Sequence, residues 1–118
     1  MSLREIKNGV IKSVSIGYDH GCLTAWLYLD HENGSQGFGG YALDSPPESR
    51  EGSGRIPTVF AGYFINRVLE TVGVDSWEKL PGRSIRVDAD YGKVHRIGNF
   101  LKDKWFDPAA EFEELRDS

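Results

Sequence analysis

The sequence predicts an α+β domain: an antiparallel sheet of about five strands packed on one principal helix, with two short helices. Three observations predict it. Between residues 10 and 29 the side chains alternate in character along two consecutive runs, which is the period of a strand. Asn33-Gly34 follows, the strongest short-range hairpin signal. Phe60, Phe64, Val68 and Val72 then recur at helical spacing.

The first strand sets Val10, Lys12, Val14, Ile16 and Tyr18 against Ile11, Ser13, Ser15 and Gly17, and Asp19-His20-Gly21 turns the chain. In the second strand, Leu23, Ala25, Leu27 and Leu29 form one face and Cys22, Thr24, Trp26 and Tyr28 the other. That second face is large and apolar for solvent. Cover is therefore expected on both sides, from a helix on one and a partner subunit on the other. The Asn-Gly turn returns the chain as a third strand over 36–43.

Residues 44–56 are rich in Pro, Gly and Ser and read as a mobile loop. The main helix runs from Pro57-Thr58 to about Val72, its stripe widened by Tyr63, Ile65 and Leu69, with Gly73 as C-cap. Asp75 and Glu78 have the spacing of a helix-start pair, which predicts one helical turn over Asp75–Leu80 with Trp77 inward. Residues 83–90 alternate again, with Ile85, Val87 and Ala89 inward and Arg86, Asp88 and Asp90 outward. A turn at Tyr91-Gly92 leads to a strand over 93–101. Asp107-Pro108 starts a short terminal helix, Pro108–Leu115. Residues 1–118 are expected to form a single domain that ends in an acidic tail at 111–118.

Composition narrows the function classes. No apolar run approaches the ~20 residues of a membrane span, and the polar start Met1-Ser2-Leu3-Arg4-Glu5 is not expected to be a signal peptide. The single Cys22 excludes an internal disulfide and a cysteine-based zinc site, and fits a cytoplasmic setting. The net charge of −4 argues against binding long nucleic acid, whose affinity rests on many phosphate contacts. Most of that charge, −3, lies in residues 111–117, so a local basic pocket for a compact anion stays admissible.

No catalytic constellation is legible, and no cofactor or metal is expected. Asp19-His20 and Asp30-His31 lie at opposite ends of the second strand, about 33 Å apart, and read as turn residues. His95 stands in a strand without a cysteine or a carboxylate at ligand spacing. Asp88 and Asp90 fall on the outward face and Glu113 and Glu114 in the tail, without the apolar surroundings an acid catalyst needs. There is no G-x-S-x-G, H-E-x-x-H, P-loop or helix-opening G-x-G-x-x-G.

Binding residues are easier to nominate. Gln36-Gly37-Phe38-Gly39-Gly40-Tyr41 places three glycines and two rings where a strand would carry branched side chains. Two readings fit: a ligand cradle in which Gly37, Gly39 and Gly40 admit a close approach while Phe38 and Tyr41 stack, or a bulged edge strand with two core aromatics. Arg55 and Thr58 precede the main helix, whose first N–H groups favour an anion. Lys102, Lys104 and Trp105, next to Phe106, combine positive charge with flat rings, which suits phosphates plus a base. The alternative is that Trp105 and Phe106 pack under the sheet while the lysines are solvated.

The stretch QGFGGYAL at 36–43, the run Phe64–Gly82 containing VDSWEKLPG, and Lys93–Phe106 ending in LKDKWF resemble a family of small phage and prophage proteins. Within it, the chain resembles the first described Thoeris anti-defence family over about residues 6–112. That resemblance implies a non-enzymatic sponge, a homo-oligomer in the host cytoplasm that traps cyclic ADP-ribose isomers by aromatic stacking and by arginines near a helix start and the C-terminal part. Arg55 matches the first of these places; Lys102 and Lys104 stand where arginine is expected. Three other functions are weighed beside it: a protein-blocking phage inhibitor of the anti-CRISPR type acting through the acidic surface at 107–117, a single-strand-binding accessory protein using Lys93, Arg96 and Lys102, and an enzyme that cleaves the same signals.

Overall fold

Strand β1 (Glu5–Asp19) organises the domain. Its second half pairs antiparallel with β2 (Cys22–His31), while its first half, Glu5–Val10, pairs antiparallel with β6 (Ser84–Ala89). Gly9 is the crossover point, opposite His31 on one side and Ile85 on the other. A bulge between Ile11 and Ser13 bends the strand beyond it, as an extra residue on one strand does. The computed structural model describes residues 3–46 and 54–117.

The main sheet has six strands in the order β3-β2-β1-β6-β7-β8, with β3 at Gly34–Gly39, β7 at Val94–Asn99 and β8 at Trp105–Phe106. It curls until β3 contacts β7, and Gln36 Nε2 donates across the gap to Asp90 O at 3.1 Å. A meander β1-β2-β3, then helix α1 (Val59–Val72), then β6-β7 returning to β1 is the connectivity of a partly open OB-type barrel, with β8 added at the edge. Strands β4 (Asp44–Ser45) and β5 (Ile56–Pro57) form a separate pair. Helix α2 spans Pro108–Asp117.

The α+β class and the antiparallel sheet on a main helix agree with expectation; the details differ for local reasons. β1 reaches back to Glu5 because its partner there is β6, some 80 residues away, and no local alternation reports such pairing. The third strand stops at Gly39, not at residue 43, because Gly39 and Gly40 take positive φ angles of 126° and 77°. The seventh strand stops at Asn99, whose Oδ1 accepts from the N–H groups of Leu101 and Lys102. The 75–80 turn is a 3₁₀ turn over Trp77–Lys79 with Ser76 at its start, while Asp75 pairs with Lys79 at 2.8 Å. The ends of the 44–56 loop are the paired strands β4 and β5, and residues 47–53 lie outside the described residues.

The core fills the inner side of the curl. Ile11, Leu27, Leu29, Val87 and Ile97 from the sheet meet Phe64 and Val68 of α1. At its centre Phe38, Phe64 and Phe106 touch pairwise, with ring centroids 5.4–6.0 Å apart. Thr58 caps α1, and Gly73 N–H closes it on Leu69 O.

Glu111 fastens α2 to α1 and so does not belong to a solvent-facing acidic tail. Tyr63 OH and Arg67 Nε donate to its Oε1 at 2.6 and 2.7 Å, and Asp107 N–H donates to its Oε2. Burial alone would raise its pKa, but the hydrogen bonds from Arg67 and Tyr63 hold it below the ordinary value. A carboxylate with a depressed folded pKa stabilises fully above its unfolded pKa and loses that contribution as pH falls through the folded value. Glu111→Gln is therefore expected to cost about 1–3 kcal/mol at pH 7. The deficit should shrink as urea unfolding is repeated at falling pH through the carboxylate range.

Candidate functional site: the outer face of the sheet

The register places Gly37 and Gly39 opposite Tyr28 and Trp26, on the face turned away from the helices. The cradle expected of these glycines is occupied by the chain itself. A Cβ on Gly37 would lie 3.0 Å from the Trp26 ring, and one on Gly40 only 2.3 Å from it. The glycines therefore let the indole lie against bare backbone. Tyr28 stacks beside Trp26, centroids 6.2 Å apart and planes 14° from parallel.

The other nominated residues are placed as follows. Phe38 is fully buried in the core, so it offers no stacking face. Tyr41 is half-buried, edge-on to Phe112 at 5.7 Å, with Lys93 Nζ 5.2 Å from its ring centre. Arg55 is engaged by Asp44, with Nε and Nη2 donating to Oδ1 at 3.0 and 2.7 Å; this holds the Asp44 pKa below its usual value. The Thr58 hydroxyl donates to Leu43 O and accepts from Phe60 N–H, so it serves as a helix cap. Arg55 lies close to the glycine stretch along the chain path, since Gly40 and Leu43 bond to the backbone of Ala25 and Leu23, and Asp44 bonds to Leu23. None of the described hollows is lined by both.

A hollow of about 340 Å³ does open beside the ring pair, lined by Ser15, Gly17, Asp19, Thr24, Trp26 and Tyr28, with Ile16 and Tyr18. Rings form one wall, hydroxyls face it from β1 and β2, and one carboxylate but no lysine or arginine belongs to the lining.

A second ring lies on the same outer face. Trp105 covers Gly98, where a Cβ would lie 2.8 Å from three of its ring atoms. The guanidinium carbons of Arg96 and Arg86 stand 4.3 and 4.8 Å from its ring centre, within cation–π range. Lys102 and Lys104 are exposed in the preceding loop. Trp105 and Phe106 thus go to opposite faces, one outward and the other into the core.

Asp88, expected on a solvent face, is buried. Arg4 grips it through Nε and Nη2, both at 3.0 Å, and Arg96 Nε donates at 2.6 Å. Burial would raise its pKa, but Arg4 and Arg96 hold it low. Sequence reasoning missed this cluster because Arg4 and Arg96 meet Asp88 only through the pairing of β1, β6 and β7.

No family model, curated protein or solved structure matches this chain. The site must be judged by its own chemistry.

At the far end of the barrel, His95 Nε2 lies 2.8 Å from Asp90 Oδ2, a carboxylate partner the sequence spacing did not suggest. Asn33 N–H donates to His31 Nδ1, which assigns that ring's proton to Nε2, facing Gln36 Oε1 at 2.7 Å. Each contact lies within one hairpin, and the Gln36–Asp90 O bond joins the two hairpins beside a polar hollow of about 320 Å³ that includes Lys7 and Tyr91. Among the described residues, no group of three or more His, Cys, Asp or Glu side chains is placed to hold a metal, and no helix is long and apolar enough to cross a membrane.

Proposed function

We propose that this protein binds a small cyclic nucleotide of the cyclic ADP-ribose type and sequesters it without altering it, as a phage-encoded anti-defence protein acting on a host immune signal. The observation that carries the reading is the Trp26–Tyr28 ring pair walling a hollow of about 340 Å³, a volume within the range of small-ligand sites. The resemblance of segments 36–43, 64–82 and 93–106 to the Thoeris anti-defence family supports the same reading.

The stacking wall supplies the base-binding element, worth about 1–3 kcal/mol per base. A sponge competing for a micromolar to nanomolar signal needs about −8 to −12 kcal/mol in total. The difference must come from enclosure and from phosphate contacts. The lining has no cation of its own, so in this proposal a second copy closes the hollow and brings positive groups to it. Exposed Val10, Ile6 and Tyr28 on the same face provide apolar area for that association.

The test is direct. Purified protein is incubated with cyclic ADP-ribose isomers, desalted and heat-denatured, and the released small molecule is identified by mass spectrometry. Intact ligand in near-stoichiometric amount is the expected result; no release, or release of a hydrolysed product, overturns the proposal. Tyr28→Ala, at a position 43% exposed, should keep the fold and weaken retention by about tenfold or more.

A further inference from the structure

We infer that the free edge of β1 over Ser13–Asp19 pairs with the same edge of a second copy, antiparallel and centred on Ile16. The inference rests on the proposed function only for what the joined surface would hold; the pairing is argued from β1 itself.

β1 outruns its partner on one side. β2 lies beside it as far as Asp19, whereas β6 begins opposite Val10. Ile11 is the last residue bonded on the β6 side, through Arg83 O and Gly82 N–H. At the other end, His20 and Gly21 have φ angles of 53° and 81°, those of a two-residue type I′ turn. Such a turn makes Asp19 and Cys22 a mutually bonded pair. Counting back, Ser13, Ser15 and Gly17 turn their backbone groups to β2, while Val14, Ile16 and Tyr18 turn theirs to the free side. Among the described residues nothing bonds to them there. A row of unpaired N–H and C=O groups is a template for another strand.

The side chains leave that template open. No proline or charge stands in Ser13–Gly17 to protect it. Val14, Ile16 and Tyr18 share the face of Leu27, Ala25 and Leu23, but the hairpin runs past the core, leaving Ile16 45% and Tyr18 76% exposed. Placing Ile16 against its own copy sets Val14 against the second copy's Tyr18. Every free group is then bonded, and the contact closes on a two-fold axis. Sliding the copies two residues one way drives the second copy's turn into Gly82 and Arg83, which already hold Ile11. Sliding them the other way leaves Val14 unpaired. In the centred register the second copy's Asp19 falls opposite Ser13, beside Lys12 and close to exposed Arg83, so opposite charges meet at both ends of the contact.

The outer face gains a site that one copy lacks. There Ser15 and Gly17 of each copy meet Gly17 and Ser15 of the other, and both hollows open onto the join. The two Trp26–Tyr28 walls stand three strand spacings apart, roughly 14 Å, across a floor of serine and glycine. A hollow with one ring wall becomes a trough with two. The second copy's Lys12 falls next to Asp19, the carboxylate of the lining.

The experiment uses the full chain without ligand. Sedimentation equilibrium over a dilution series gives the mass, and amide hydrogen exchange read by NMR gives the pairing. A dimer is expected in which the amides of Val14, Ile16 and Tyr18 are protected like those of Ser15 and Gly17. Ile16→Pro removes a donor on the free side without touching the β1–β2 ladder, and Ile16→Glu sets like charges on the two-fold axis. Each should weaken the dimer about tenfold or more and speed exchange at Val14 and Tyr18 by a similar factor. Circular dichroism shows that each variant is folded. A monomer, or a dimer whose three amides exchange freely because it joins through another face, overturns the inference. So does a folded Ile16→Pro or Ile16→Glu protein that dimerises like wild type. A paired dimer that retains no cyclic ADP-ribose isomer keeps the pairing and overturns the proposed function. A monomer that does retain it has the reverse consequence.

Discussion

Phe38→Ala is expected to lower the unfolding free energy by about 3–5 kcal/mol. Phe38 sits opposite Leu27 on the inner face and is completely buried between Phe64 and Phe106. Truncation leaves a ring-sized void where three aromatic side chains meet, and the surrounding sheet and helix cannot collapse into it. The check is the urea midpoint at unchanged slope. A loss below about 1 kcal/mol, together with lost ligand retention, would instead make Phe38 the stacking ring that its glycine neighbours suggest.

Gly39→Ala should be comparably severe, about 3–5 kcal/mol, by a different cause. Gly39 has φ 126°, and a Cβ there would lie 2.1 Å from the carbonyl oxygen of Ala25. That oxygen also accepts the Gly40 N–H at 3.0 Å, so relief of the clash breaks a bond that anchors the end of β3. Gly17→Ala is the matched control. Its Cβ would meet nothing within 4 Å, and its unfolding free energy should change by no more than about 1 kcal/mol. Equal effects of the two substitutions would remove the close approach of Gly39 to the Ala25 carbonyl as the reason for a glycine there.

What was legible in the sequence was whatever reports through near neighbours. The alternation in 10–29, the Asn-Gly turn and the helical recurrence from Phe60 to Val72 each state their element locally, and each element is present. Even the inward aim of Phe38 was within reach. The turn tip is Glu32-Asn33, with His31 opposite Gly34, which sets Phe38 against Leu27; a register moved so that Glu32 faced Ser35 would set it against Leu29, on the same face. Glycine abundance masked that parity, because it suggested space for a ligand when the occupant was the protein's own indole.

The site was less legible because its members are joined by pairing distant in the chain. Nothing near Arg4 announces Asp88, and nothing near Gly98 announces that Trp105 folds back onto it, since both follow from the β1–β6 and β7–β8 registers. Likewise Arg55 reads as an available cation until β4 and β5 pair and bring Asp44 to it.

The double role of β1 also bears on how the chain emerges during synthesis. The hairpins of residues 11–39 can form as soon as they leave the ribosome, but Glu5–Val10 wait for Ser84–Ala89, a separation of 84 residues between Glu5 and Ala89. At ~5–20 residues per second that delay is roughly 4–17 s, during which a nascent strand bearing Ile6 and Val10 stands open to a neighbouring chain. Slowed translation between codons 40 and 84 should therefore raise the aggregated fraction, and a permuted gene that brings these two strands together should lower it.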